Sequence, residues 1–255
     1  MKRLLFFVYG AVCYLLFLAT FLYAIGFVGD LLVPKALDGP PVGPFWLSLA
    51  IDALLLTLFA VQHSVMARPW FKQRWTRIVP PALERSTFVL FASLALGLLM
   101  WQWRPLGGEV WSVTNPAGRA ILLALFGCGW GLVLLATFLI NHFDLFGLRQ
   151  VWLYLRGKEY SRLRFATPGP YRLVRHPLYL GFLLAFWATP RMSVTHLVFA
   201  AVTTAYILVA IQFEERDLVN ELGPAYADYR RRVPMILPLG GRRDEAAAEP
   251  VPARR

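Results

Sequence analysis

The sequence predicts an all-α polytopic membrane protein with five to six transmembrane segments, the last two forming a helical hairpin, and a cytoplasmic C-terminal cofactor-binding region. Three observations predict it. Of the 255 residues, 58% are hydrophobic and only 16% are charged, more apolar surface than a water-soluble fold can cover. The apolar residues fall into runs, most of which approach the ~20 residues that a helix needs to cross a bilayer core. The formal net charge of +11 is carried by Lys and Arg in the short stretches between those runs, the positive-inside pattern of a multispanning chain, which sets nucleic-acid binding aside.

Taken in order, the first run, Leu4 to Ile25, follows Lys2-Arg3. It is long and has no convincing small-x-small cleavage site, so it reads as a retained first span rather than a signal peptide. Phe45 to Met66, Thr87 to Trp103 and Ala120 to Ile140 follow as three further spans. Leu178 to Thr189 and Val194 to Phe213 are the arms of the hairpin, with Pro190-Arg191-Met192-Ser193 as its turn. The first arm, Pro177 to Pro190, is about 14 residues or roughly 21 Å at 1.5 Å per residue, short for a full crossing. Arg191 is then expected to snorkel from below the outer interface. Val151 to Phe165, with aromatic and aliphatic residues among cations, is expected to lie along the membrane surface as a lid.

The connections fix the orientation. Arg68, Lys72, Arg74, Arg77 and Arg85 fall between the second and third spans, and Arg149, Arg156, Lys158, Arg162, Arg164, Arg172 and Arg175 follow Asn141. Both stretches belong in the cytoplasm, with both termini, whereas the cation-poor stretches Asp30 to Pro44 and Arg104 to Gly118 belong outside. Cys13 and Cys128 sit inside apolar runs, so neither a disulfide framework nor a Cys-rich metal site is supported. The domain is read as a single unit over 1–239, its cofactor-binding part over about 165–239, followed by a polar tail, 240–255, without apolar pattern and expected to be disordered.

On this topology His63 ends the second span, His142 ends the fourth and His176 opens the fifth. Three imidazoles are thus expected at one depth near the cytoplasmic interface, where any one alone would pass for an interfacial histidine; His196 lies on the other side. Polar partners accompany them: Gln62-His63-Ser64, Asn141-His142-Phe143-Asp144, and Glu214-Glu215-Arg216-Asp217. Counting helical rise from the hairpin turn, roughly 33 Å to Glu214 against roughly 21 Å to His176, places the acidic pair ~12 Å deeper in the cytoplasm. The densest segment, Pro168 to Gly181, sets three prolines, two glycines, Tyr171, Tyr179, Arg172, Arg175 and His176 at the mouth of an apolar run. That is more chemistry than a helix start requires.

Arg175-His176-Pro177-Leu178-Tyr179-Leu180-Gly181, followed by Glu214-Glu215 and then by Gly223, Tyr226 and Tyr229, resembles the C-terminal signature of the isoprenylcysteine carboxyl methyltransferase superfamily. Gln62-His63-Ser64-Val65-Met66-Ala67-Arg68 and Asn141-His142-Phe143-Asp144-Leu145-Phe146-Gly147-Leu148-Arg149-Gln150 are more similar to one branch, the bacterial methanethiol S-methyltransferases. The resemblance implies a bacterial inner-membrane enzyme converting methanethiol to dimethyl sulfide, with S-adenosylmethionine as methyl donor and hydrogen sulfide as a conceivable second acceptor. It implies donor binding in the C-terminal third. The donor carboxylate suits Arg175 or His176, its ammonium or ribose hydroxyls suit Glu214 or Glu215, and Tyr171, Tyr179, Tyr226 and Tyr229 suit adenine or sulfonium. Pro177 sets the helix start and Gly181 permits close approach by a ligand or a neighbouring helix.

A thiol acceptor must lose its proton, because the thiolate is the nucleophile. His142 or His63 is the natural base, and spacing does not rank them; Asp144 is expected to steady an imidazole and Arg149 or Arg68 to favour the thiolate. Gln62, Asn141 and Arg68 are expected beside the acceptor. No metal is expected. Two alternatives share parts of the pattern: carboxyl methylation of a prenylated cysteine or another lipid, and a haem protein, since Gln62-His63-Ser64 also resembles the NnrU and zeta-carotene isomerase group, with His63 and His142 as axial ligands.

Overall fold

The computed structural model describes residues 1–161 and 163–238, so the predicted tail 240–255 lies outside the described residues. In chain order the elements are α1 (Lys2–Gly29), α2 (Phe45–Ala67), α3 (Pro69–Trp75), α4 (Pro81–Gln102), β1 (Glu109–Ser112), α5 (Pro116–Ile140), α6 (His142–Leu145) and α7 (Leu148–Leu155). A 3-10 turn (Gly169–Arg172), α8 (Pro177–Trp187), β2 (Arg191–Ser193), α9 (Val194–Leu222) and α10 (Pro224–Arg232) complete it. Proline opens α3, α4, α5, α8 and α10, where a missing N–H costs no helical bond and the fixed φ suits the first turn.

Among the described residues five helices, α1, α2, α4, α5 and α9, are long and apolar enough to cross a membrane. Their apolar stretches are largely uncovered by protein; only 11% of the most apolar stretch of α1 is buried. Surface of that kind is stable against lipid and not against water. The chain is an all-α polytopic membrane protein.

α1 and α4 run side by side in the same direction: the Tyr9 hydroxyl meets Thr87 Oγ1 at 3.1 Å, and the rings of Phe27 and Trp103 meet edge to face at 6.1 Å. α5 and α8 run antiparallel in closer contact. A Cβ on Gly181 would fall 2.7 Å from the Gly129 carbonyl oxygen, and one on Gly129 would fall 2.6 Å from Ala185 N. Only glycines at both positions let the two backbones touch. A neighbouring helix thus occupies the open side of Gly181.

Three local expectations are corrected. The turn at Arg191 to Ser193 is a strand, β2, pairing antiparallel with β1 so that Trp111 faces Met192; three residues carry too little alternation to announce a strand. Of the stretch Val151 to Phe165, expected along the membrane surface, the part within α7, as far as Leu155, packs on α1 instead. It stands antiparallel against the first half of α1, with Val151 against Gly10, the Tyr154 ring stacked on Phe6 and Gly157 beside Arg3. The break at Asn141 is therefore level with the middle of α1, where His142 meets Tyr14 and Phe17.

Third, α8 is only 11 residues, or roughly 16 Å, and beyond it the chain turns at Ala188 and Thr189 and passes through the short strand β2 before α9 begins. Non-helical chain rises faster per residue than a helix, and His176 Nε2 lies 3.1 Å from Glu215 Oε1. The acidic pair is accordingly level with His176, not ~12 Å beyond it.

Candidate active site

The site begins where α5 breaks. Asn141 adopts φ 139 and ψ 91, and its side-chain oxygen accepts the Asp144 N–H at 3.1 Å. The break folds the His142 ring back onto its own helix, stacked on Phe138 at 4.3 Å and 8°. His142 Nδ1 lies 2.9 Å from Thr137 Oγ1, and that hydroxyl donates to the Leu134 carbonyl at 2.7 Å. A hydroxyl has one proton, so Nδ1–H is the donor to Thr137, which leaves Nε2 to accept the Tyr14 hydroxyl at 2.9 Å. Burial holds His142 below the ordinary histidine range.

Asp144 does not reach this ring as a partner. Its carboxylate accepts from Arg149 Nη1 at 2.8 Å and from the Tyr160 hydroxyl at 3.2 Å, while Arg149 also donates to the Ser161 carbonyl and hydroxyl, both at 2.9 Å. The imidazole is steadied by Thr137 and Tyr14 instead, since the one-turn helix α6 turns Asp144 outward. Asp144 and Tyr160 line a cavity of about 470 Å³ with Lys72, Arg85 and Glu221. Burial and the charge of Arg85 keep the Lys72 ammonium below its ordinary range.

His63 is held by rings: it stacks on Phe59 at 5.4 Å and 23° and meets Phe88 at 5.1 Å. Its Nδ1 is buried and without a hydrogen-bond partner among the described residues, as are Gln62 Oε1 and Trp75 Nε1 nearby on α2 and α3. Gln62 Nε2 points to Met66 Sδ at 3.1 Å. Met66, Phe88 and Val89 form a buried cluster against which Phe17, Trp75 and Phe146 pack. Phe17 and Phe146 stack at 3.8 Å, and both contact the His142 ring, at 6.5 and 4.8 Å. The two imidazoles therefore border one aromatic cluster, His63 at Phe88 and His142 at Phe17 and Phe146. Measured along α1 from Thr87's partner Tyr9 to Tyr14, they are offset by about 8 Å.

His176 joins the same level. Val133 packs on Gly181, so in the antiparallel pair Pro177, the buried first residue of α8, lies level with Thr137. Arg175 Nε donates to Glu215 Oε1 at 2.6 Å and His176 Nε2 lies 3.1 Å from the same oxygen, with Arg230 Nε 3.2 Å from Oε2. Arg175 Nη1 also donates to the carbonyls of Arg230 (3.0 Å) and Val233 (2.5 Å). The backbone N–H groups of Arg175 and His176 donate to Pro234 and Met235 at 2.8 and 3.1 Å. This knot ties the start of α8, the end of α9 and the segment after α10 into one wall.

Beside it, the Tyr179 hydroxyl donates to Glu214 Oε2 at 2.8 Å. Phe165, Tyr226 and Tyr229 form an aromatic triangle with centroids 5.6–5.9 Å apart, and the Tyr229 hydroxyl donates to the Tyr171 carbonyl at 2.6 Å. Burial pushes the Tyr229 phenol up to about 12 and raises Tyr171 and Tyr226 further. All three remain neutral donors at physiological pH.

Two contacts staple α2 to this wall. Ser64 Oγ and the Tyr206 hydroxyl are 3.0 Å apart, and Arg68 Nη1 donates to Asp217 Oδ2 at 2.7 Å. Sequence reasoning missed Tyr14, Thr137 and Tyr206. Their signal was a hydroxyl inside an apolar run, which burial obliges to find a partner. His196 keeps its structural place, its Nδ1 3.1 Å from Asp38 Oδ2 and its Nε2 2.9 Å from the Phe186 carbonyl, near the opposite end of α9.

The sequence of this membrane bundle places it among the integral membrane methyltransferases: residues 123–223 match the phospholipid methyltransferase family. Over 235 residues the chain is 56% identical to the methanethiol S-methyltransferase of Crocosphaera subtropica, covering 92% of each. Over 238 residues it is 58% identical to that of Mycobacterium tuberculosis, covering 93% of this chain and 98% of the relative. Nurim of Mus musculus is a more distant relative, 32% identical over 180 residues, 67% of this chain and 68% of Nurim. The chain belongs to the methanethiol S-methyltransferase family. No solved structure matches it. The haem and lipid-acceptor readings are not favoured by this membership, and a haem ligand at His142 would have to displace Thr137 or Tyr14.

Proposed function

We propose that this protein transfers a methyl group from S-adenosylmethionine to methanethiol, releasing dimethyl sulfide, in the plasma membrane of a bacterium. The observation that carries the reading is the aromatic cluster flanked by His63 and His142, with unpartnered buried polar atoms at His63, Gln62 and Trp75. Buried polar groups left unpaired are costly and mark sites that receive something. A small thiol, apolar in its body and weakly polar at sulfur, suits a pocket of that composition. The cation-rich connections around Arg68 to Arg85 and Arg149 to Arg175 support a cytoplasmic position for this end.

The residues present also fit the methyl donor. Glu214 Oε1 has no hydrogen-bond partner among the described residues, since Tyr179 uses only Oε2. It suits an ammonium or ribose hydroxyl, while the exposed ring of Phe165, backed by the buried Tyr226, offers a face for adenine. Arg175 and His176 supply the positive wall that a carboxylate needs, and Glu215 and Tyr229 set the position of that wall. When bound, the donor supplies an electrophilic methyl on a sulfonium that is already a good leaving group. The protein's own task is then to place the thiol in line and to remove its proton.

The test is direct: purified protein in lipid nanodiscs, given S-adenosylmethionine and methanethiol, makes dimethyl sulfide in the headspace. A farnesylated cysteine in parallel is methylated poorly or not at all. Absence of dimethyl sulfide from wild type rejects the proposal.

A further inference from the structure

Resting on that reading, the geometry points to His63, not His142, as the group that takes the thiol proton; we infer that His142 is a brace for the break at the end of α5. The two imidazoles differ in what their nitrogens already do. His142 has both engaged, Nδ1–H to Thr137 and Nε2 from Tyr14. Its faces are covered by Phe138 at 4.3 Å and Phe146 at 4.8 Å. To accept a proton it must first lose the Tyr14 bond, and that bond joins α1 to α6 across 128 positions of sequence.

His63 has no hydrogen-bond partner among the described residues, and its Nδ1 is buried. It is held by ring packing alone, which fixes the plane without occupying the nitrogens. Its position also connects to the donor wall. The next residue, Ser64, bonds Tyr206, and Arg68 one turn on bonds Asp217. The charge of Arg68 reaches both His63 and Tyr179, and Tyr179 is the residue that holds Glu214. The charged groups close enough to act on His63 are Arg68, just past the end of α2, and Arg85 from α4. Both are cations and both favour a thiolate at this spot. His142's own bonds go to α1 and α5, and its link to the donor wall runs only through α5, whose Ala136 carbonyl lies 3.5 Å from the Tyr171 hydroxyl.

The step balances as follows. The S–H proton passes to a free nitrogen of neutral His63 while sulfur forms a bond to the methyl carbon. The bond between that carbon and the sulfonium sulfur breaks, and its electron pair stays with the donor, which leaves as a neutral thioether. His63 returns its proton to water, so the sulfonium's positive charge leaves the site as that proton.

The experiment compares wild type, His63→Gln and His142→Gln in nanodiscs between pH 7 and pH 10, following dimethyl sulfide formation and donor affinity. His63→Gln is expected to lose ~10²–10⁴-fold in kcat/KM at neutral pH. Its donor Kd stays within twofold of wild type, and its deficit shrinks as solvent hydroxide supplies the thiolate. His63→Ala regains turnover with added imidazole, which keeps the test open if His63→Gln folds poorly. His142→Gln lowers Tm, and its residual activity follows the wild-type pH profile. The inference is overturned if the pH-restored deficit belongs to His142→Gln, or if the loss in His63→Gln is independent of pH and imidazole does not restore His63→Ala. Wild type that makes no dimethyl sulfide sinks the function itself rather than the ranking of the two histidines.

Discussion

Glu215 Oε1 accepts from Arg175 at 2.6 Å and lies 3.1 Å from His176 Nε2, while Oε2 faces Arg230 at 3.2 Å. One carboxylate, 2% exposed, therefore answers three cation-capable side chains, two from the turn before α8 and one from α10. Removing one partner of a buried ionic group leaves the others uncompensated, at a cost of about 3–5 kcal/mol. Glu215→Ala should abolish the cooperative unfolding transition or lower it sharply. Glu214→Gln, which loses charge without opening the knot, should keep the wild-type Tm and lose donor affinity. Thermal unfolding and donor titration of the two variants check this, and equal Tm for Glu215→Ala and wild type would disprove the knot's structural role.

The contact of α5 with α8 makes a second prediction. A Cβ at residue 181 would meet backbone, Gly129 O at 2.7 Å and Val133 N at 2.8 Å, whereas at Gly127 nothing lies within 4 Å. Gly181→Ala must push the helices apart, costing about 1–3 kcal/mol and shifting His176 and Tyr179 with the start of α8. Gly127→Ala should be neutral. The readouts are unfolding in detergent and donor Kd, and a silent Gly181→Ala would show that α8 can slide freely.

The difference between those two glycines illustrates what was legible in the chain. Leucine-rich runs announced every long helix, and helical rise along them set three histidines at one end. The partners were not legible where they came from distant spans: nothing local in Tyr14 names His142, and nothing in Tyr206 names Ser64. Asp144, two residues from His142, looked like its orienter, but the bond went to Thr137 because the break at Asn141 turns the ring back over α5. The depth of Glu215 was misjudged for a similar reason, since the non-helical chain around β2 rises faster per residue than the helix assumed when counting from the turn.

The buried His142 carries a pH prediction with a definite sign. Its folded-state affinity for protons is depressed by burial, so between that value and the unfolded ~6.5 the unfolded chain binds more protons. Stability then rises with pH across this window and is lost as pH falls below ~6.5. In His142→Gln this component disappears, so the gap in Tm between the two proteins should narrow on going from pH 7.5 to pH 5.5. A gap that widens on acidification would contradict a neutral buried imidazole.

Tyr229 makes the last test, on the wall that faces the donor. Its hydroxyl donates to the Tyr171 carbonyl at 2.6 Å, and its ring meets both Tyr226 and Phe165. Tyr229→Phe keeps the rings and removes the bond, worth about 1 kcal/mol, which should loosen α10 against the turn before α8. Because the triangle is expected to receive adenine, donor Kd should rise roughly fivefold, while kcat at saturating donor changes little. Tyr229→Leu removes the ring as well and should raise Kd further. A kcat loss with unchanged Kd would place Tyr229 at the reacting groups rather than on the wall that holds the nucleoside.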